Sequence, residues 1–284
     1  MQARLAREEQ LRRMVETNTQ ARHRHKRLTF FWARTGLLLS FLLLWELLSG
    51  RVIDSFFISS PLKIGASFEE LFQGGKVFLH FATTLNEVLL GFTAGVLGAL
   101  IGAVLVIIFR DAYDVVEPFF IALYGIPRIA LAPLLIMWLG LGIKSKIFLS
   151  GLLVFFVVFM TVVAGIRMVD EGVINSARLM GGSRSQIIRT VILPASYPYF
   201  VAGLRMGVPM AIIGAIVGEF ISANRGIGFL IQWASSAFNT SLAFAAIFLL
   251  LILVVGLNFA VNKADAHLLK WRPKNSEERI TTTM

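Results

Sequence analysis

The sequence predicts an all-α integral membrane protein of about six transmembrane helices, and three features support that prediction. Of its 284 residues 56% are hydrophobic and 15% charged, at a mean hydropathy of +0.74, whereas soluble domains average about 25% charged. Apolar stretches of about 18 residues or more, each able to cross roughly 30 Å of hydrocarbon, recur along most of the chain. The net charge of +10 gathers at the ends of those stretches, which is the positive-inside pattern of a membrane protein and not a nucleic-acid-binding surface.

Residues 1–28 form a basic, cytoplasmic tail in which Arg4, Arg7, Arg12, Arg13, Arg22, Arg24, Lys26 and Arg27 outnumber Glu8, Glu9 and Glu16; they read as a solvated or membrane-surface helix. The apolar segment after them lies too far in and is too long for a cleaved signal peptide, so it is expected to stay as a helix. A six-helix domain is expected over 29–262. Its first span, 30–48, has Phe31, Trp32 and Trp45 near its ends, where amphipathic rings favour the interface. A polar connection over 51–76 comes next, with turns at Ser60-Pro61 and Gly74-Gly75.

The second span, 81–108, carries Gly91, Gly95, Gly98 and Gly102 on one helical stripe, where a neighbouring helix can approach closely. The third, 115–138, holds Pro118, Pro127 and Pro133 and is expected to kink or break. Breaks in a bilayer persist only where protein or a wet cavity satisfies the freed carbonyls, which makes this segment a candidate pathway wall. A turn over 140–146, a fourth span over 147–166, a polar stretch over 167–196 and a fifth span over 197–221 come after it. The fifth span has Gly203, Gly207, Gly214 and Gly218 with Pro209. A loop over 222–239 leads to the sixth span, 242–260, and a charged cytoplasmic tail over 263–284.

This arrangement places nineteen Lys and Arg residues on one side and six on the other, with Arg128 and Arg205 inside spans. Both termini and the 167–196 loop are therefore expected in the cytoplasm. Cysteine is absent and the four histidines are scattered, so neither disulfides nor a metal site is expected. Gly75-Lys76 is followed by Val77, and no phosphate-cradling Gly-x-x-x-x-Gly-Lys-Ser/Thr loop occurs. No cluster of catalytic groups is visible either. The chain reads as a non-enzyme, with no cofactor of its own.

The 167–196 loop is the most informative stretch. Residues 171–180 can form a short amphipathic helix with Val173, Ile174 and Ala177 on one face, and Gly181-Gly182 supplies its stop. The loop resembles the "EAA loop" of ABC importer membrane subunits. That pattern, Glu-Ala-Ala, three residues, Gly, nine residues, Ile, one residue, Leu-Pro, falls on Asn175-Ser176-Ala177, Gly181, Val191 and Leu193-Pro194. Asn175 and Ser176 depart from it, and Glu171, one turn earlier, can present a carboxylate on the face of Asn175. Further similarity to permeases for nitrate, sulfonate, taurine and thiamine-precursor uptake lies in Thr84-Leu85, Gly91-Phe92, the run 126–134, the turn 140–146, and Glu219 with Gly226-Ile227-Gly228.

The resemblance implies a type I importer fold with a cytoplasmic coupling helix that docks on a partner ATPase, the bearer of ATP and Mg. It also implies an extracytoplasmic binding protein and residence in a bacterial inner membrane. Two copies of this chain with two ATPase subunits are the economical assembly. A charge inside a span is costly and marks candidates for the pathway of a small, anionic solute, namely Arg128 with its neighbours Pro127 and Pro133, then Arg205 and Glu219. Two readings stay open for them, pathway groups on one hand and structural pairs, caps or snorkelling side chains on the other. Glu46, Glu87 and Glu117 read as interfacial. The alternative function, an ion-coupled secondary transporter, calls for ion-coupling groups and usually two similar halves.

Overall fold

The structure, a computed structural model, describes residues 29–268. The expected surface helix over 1–28 and the tail beyond 268 lie outside the described residues. The apolar runs become helices in chain order: α1 (Thr29–Leu48), α2 (Ser55–Ile58), α3 (Pro61–Gln73), α4 (Lys76–Ile108), α5 (Arg110–Gly125), α6 (Ala132–Leu139), α7 (Ile143–Arg167), α8 (Glu171–Leu179), α9 (Arg184–Ile187), α10 (Leu193–Ser222), α11 (Ile227–Ser236) and α12 (Thr240–Leu268). Five helical stretches are long and apolar enough to cross a bilayer, and the α5–α6 pair makes a sixth when taken as one bent span.

The chain divides into two units, residues 1–66 and 67–284. In the first, α1 leaves Leu37, Leu38, Phe41 and Leu43 exposed, as suits a helix bathed in lipid. Polar groups tie its end to α2 and to the start of α3. The Trp45 indole donates to the Ile58 carbonyl (3.3 Å), and Glu46 accepts from the Leu62 amide (3.1 Å). The connection expected to be irregular over 51–76 is mostly helical, because between its Pro and Gly signals it holds a run of good helix formers.

In the second unit α7 is the central helix, with α4 and α10 packed against it. The glycine stripe of α4 faces it: Gly91 and Gly95 lie against Ser150, Gly151 and Val154, and Gly98 and Gly102 lie against Phe155 and Phe159. From the other side Gly203, Gly207 and Gly214 of α10 meet Val158 and Ser150, and the Ser150 hydroxyl donates to the Ala211 carbonyl (3.0 Å). Buried Val154, Val158, Phe159, Ala211 and Ala215 fill the seams.

The third span is broken, as its prolines predict, but at one of them. Pro118 sits within a continuous α5. The break comes at Ile126, whose extended backbone (ψ 135°) is what the adjoining Pro127 demands. A 3₁₀ turn, Arg128–Leu131, comes next, and the two arms are bent by 81°. Pro133 lies in the first turn of α6, where a missing N–H removes no hydrogen bond. One further expectation is corrected: the 222–239 loop contains α11. Within 167–196, helix runs on from Arg184 through a π turn at Ile188–Ile192 into α10 at Leu193-Pro194. The widened turn loosens the ladder just ahead of a proline that cannot donate to it.

A Cβ on Gly214 would lie 2.5 Å from the Ser150 Cα and 2.8 Å from its nitrogen, both backbone atoms, whereas one on Gly256 meets nothing within 4 Å. Gly214→Ala is therefore expected to force α7 and α10 apart and destabilise the bundle by about 1–3 kcal/mol. Gly256→Ala should leave stability unchanged or raised. Thermal unfolding of the detergent-solubilised protein measures both, and equal melting temperatures would remove close backbone approach as the basis of this packing.

Candidate functional site

Three groups of polar residues stand out. The first is α8, the helix between α7 and α10. Its N-terminus is capped by the Asp170 carboxylate, which accepts from the Gly172 amide (2.6 Å), with Glu171 in the first turn and Arg178 in the last, each favourable to the helix dipole. Ile174 is buried beneath it, while Glu171, Asn175 and Ser176 are exposed and Ala177 is half-buried. The Ser176 hydroxyl bonds back to the Gly172 carbonyl (2.8 Å), and Arg178 donates to Asn175 (3.3 Å).

The C-terminus of α8 closes as a Schellman motif. The Gly182 amide donates to the Ala177 carbonyl (3.0 Å) and the Gly181 amide to the Arg178 carbonyl (2.9 Å), with Gly181 at φ +82°. Ser183 then caps α9 in a reciprocal capping box with Gln186. This sharp reversal leaves Leu179 and Met180 uncovered at its tip, 89% and 87% exposed. Periodicity in the sequence singles out Val173, Ile174 and Ala177 instead. The turn is anchored inward by Arg184, which donates to the Ile107 and Ile108 carbonyls at the end of α4 (3.1 and 2.7 Å). Nearby, Arg167 at the end of α7 pairs with Asp114 (2.6 Å) and Glu117 of α5.

The second group is buried at the opposite ends of the same helices. Glu87 of α4 is 1% exposed and accepts from Lys146 of α7 (2.8 Å). The interfacial reading of Glu87 is thus corrected, as is the placing of Lys146 in a turn. Glu219 of α10, also 1% exposed, adjoins Glu87. Its oxygens accept from the Thr84 hydroxyl (2.6 Å) and the Gly228 amide (2.5 Å), and Thr84 accepts in turn from the Ile227 amide (2.8 Å). His80 Nδ1 lies 3.1 Å from the Gly226 amide. Gly226, at φ +119°, leaves no room for a Cβ beside the Glu219 carboxylate. This geometry is that of a cap, since Glu219 and Thr84 together hold the start of α11.

The third group is the break itself, which brings together Pro127, Arg128 and Pro133. The Arg128 guanidinium lies over the rings of Tyr124 (4.6 Å) and Phe156 (5.4 Å). Arg205, on α10, is exposed. No group of three or more candidate metal ligands occurs among the described residues.

The site therefore comprises a capped, amphipathic helix between α7 and α10, a buried polar network and a broken span. The sequence profile of the binding-protein-dependent transport system inner membrane component matches residues 88–271. The chain belongs to this family. Relatives include the riboflavin transport system permease of Chloroflexus aurantiacus, 32% identical over 248 residues, spanning 85% of this chain and 92% of that one. The putative aliphatic sulfonates transport permease of Bacillus subtilis is 31% identical over 264 residues, 91% of this chain and 95% of its own. The permease chain of the inward-facing MetNI methionine ABC transporter superposes with a TM-score of 0.56 at 22% identity, covering 64% of this chain and 91% of that one. The permease is thus a multi-pass inner-membrane transport subunit of type I ABC importer fold, from a class that works with ATPase and binding-protein partners.

His80, Thr84, Glu87 and Lys146 are not recognisable as site residues from composition or motif. A signal is nonetheless present: His80, Thr84 and Glu87 recur at i, i+4 and i+7, a polar stripe on one face of an apolar span. Removing one partner of the buried pair should expose its cost. Lys146→Met leaves Glu87 buried without its cation and is expected to destabilise the permease by about 3–5 kcal/mol. Adding Glu87→Gln should recover most of that loss. Melting curves of the two variants in detergent test this, and a single variant as stable as the parent would show that the pair is not a stabilising element.

Proposed function

We propose that this permease takes a small solute from an extracytoplasmic binding protein and passes it across the inner membrane by alternating access, driven by ATP hydrolysis on partner subunits. Two copies of the chain form the membrane assembly, and two ATPase subunits, which hold the ATP and Mg, dock on it from the cytoplasm. Both termini face the cytoplasm. The observation that carries this reading is α8, a short helix closed at both ends by caps and presenting bare Leu179 and Met180 at its tip. Exposed apolar side chains on a rigid polar knob suit insertion into a cleft of another protein. The Arg184 contacts to the α4 terminus and the continuous helix from Arg184 to Ser222 give the knob a stiff connection to the bundle. Closure of the ATPase pair then supplies the differential free energy between inward- and outward-open states.

Glu171, Asn175, Ser176, Ala177 and Gly181 are the docking residues in this reading. Leu193 and Pro194 lie on the helical stem that joins the knob to the membrane. Gly181→Trp puts a Cβ at a positive φ, a strain of order 1–2 kcal/mol, and adds bulk to the docking face. It should leave membrane insertion intact yet weaken ATPase pull-down and abolish uptake in the same membranes. Normal docking together with normal uptake would falsify the assignment of α8.

Orientation is tested separately. A single cysteine at Ser176 should react with impermeant thiol reagents only after the cytoplasmic face is opened, and labelling from outside intact cells would reverse the proposed topology.

A further inference from the structure

Lys146 has Glu87 beside it, Arg167 at the end of α7 has Asp114 and Glu117, and the buried Glu219 carboxylate is held by the Thr84 hydroxyl and the Gly228 amide. Arg128 differs. Its Nη1 is buried with no hydrogen-bond partner, and among the described residues no carboxylate pairs with it. A guanidinium does not escape this by losing its proton. Phe156, one of the two rings beside it, sits midway along the 25-residue α7.

The Tyr124 and Phe156 rings offset part of the lost hydration through their negative faces, but they are not acceptors for its N–H groups in the plane of the guanidinium. The surroundings are also open. Tyr124, Ile126 and Ile129 are exposed, and the span is bent here by 81°, a break of a kind that persists in a membrane only beside protein or a wet cavity.

We propose that Arg128 is a solute-contacting, specificity-determining residue of the translocation pathway, and that its missing counter-charge is the acidic group of an anionic solute, a sulfonate or a carboxylate. The proposal rests on the import reading above. The planar fork of N–H donors matches two oxygens of such a group. Contact with the two rings restrains the guanidinium before the solute arrives, so less is lost on ordering it. A neutral solute leaves the charge uncompensated as it passes, and a cation is repelled, so one residue discriminates among solutes by sign.

The chain has no native cysteine, and a Cβ at Gly125, three residues before Arg128, meets nothing within 4 Å. The test therefore uses Gly125→Cys in the full complex in lipid vesicles, with rates of modification by an anionic (2-sulfonatoethyl) and a cationic (2-trimethylammonioethyl) methanethiosulfonate. A unit positive charge within several ångströms raises the anionic rate and lowers the cationic one, so their ratio should fall roughly tenfold or more on adding Arg128→Gln and hold with Arg128→Lys. Excess ethanesulfonate should slow the reaction when Arg128 is present but not with Arg128→Gln, and neutral dimethyl sulfone should slow neither.

An unchanged ratio, an equal fall with Arg128→Lys, a cysteine inert to both reagents, or no protection by ethanesulfonate overturns the proposal. Failure of the import reading shows elsewhere, as failure of the unsubstituted chain to retain its ATPase subunits, so the two are told apart.

Discussion

In hydrocarbon an apolar side chain gains little by exchanging lipid for protein, so the contact that organises this bundle has to come from close backbone approach. The helices α4 and α10 reach α7 through glycines whose missing Cβ atoms leave room for Ser150, Gly151, Val154 and Val158. At Gly214 the neighbour is the Ser150 backbone itself, which cannot move aside as a flexible side chain can. Dispersion over these seams and the Ser150 hydrogen bond to Ala211 then act at short range. The positions of all three polar groups depend on this three-helix contact.

Because α4, α7 and α10 are held so closely, their ends are brought together on each side of the membrane. At one end Glu87, Lys146, Glu219 and Thr84 form a buried network that would be very costly if any member were misplaced. Its product is mechanical: the Gly226-Ile227-Gly228 turn wraps the Glu219 carboxylate, and α11 starts where that wrapping ends. At the other end Arg184 ties the α8–α9 turn to the last carbonyls of α4. The α8–α9 turn is thus joined to α4 through a hydrogen-bonded contact and to α10 through a continuous helix.

The α5–α6 segment is the exception to this tight packing. Its break exposes side chains on both arms and holds a guanidinium on two rings near the middle of the span. Lys146 is answered by Glu87, and Glu219 by a hydroxyl and an amide, whereas the Arg128 Nη1 has no hydrogen-bond partner among the described residues; this is also the part with two short arms in place of one long helix. Both properties suit a wall past which something moves.

The number and order of the spans, the glycine stripes, the broken third span and the short helix between the fourth and fifth spans with its glycine stop were all legible in the amino-acid sequence. Each is written in neighbouring residues: apolar run length, i, i+3 and i+4 spacing, the rule that a residue before proline leaves the helical region, and the positive φ that Gly181 accepts. The short helices α3 and α11 were hidden because turn residues at their ends masked ordinary helix formers between them. Only packing in three dimensions made Glu87 a paired rather than an interfacial group and Glu219 a cap for α11. Packing likewise left the Arg128 Nη1 without a hydrogen-bond partner among the described residues, and made Leu179 and Met180, rather than Val173, the bare tip of α8. The physical reason is distance. Glu87 and Lys146 are far apart in the chain and meet only because α4 and α7 pack at glycine separation, and whether a charge has a counter-ion depends on every other helix that surrounds it.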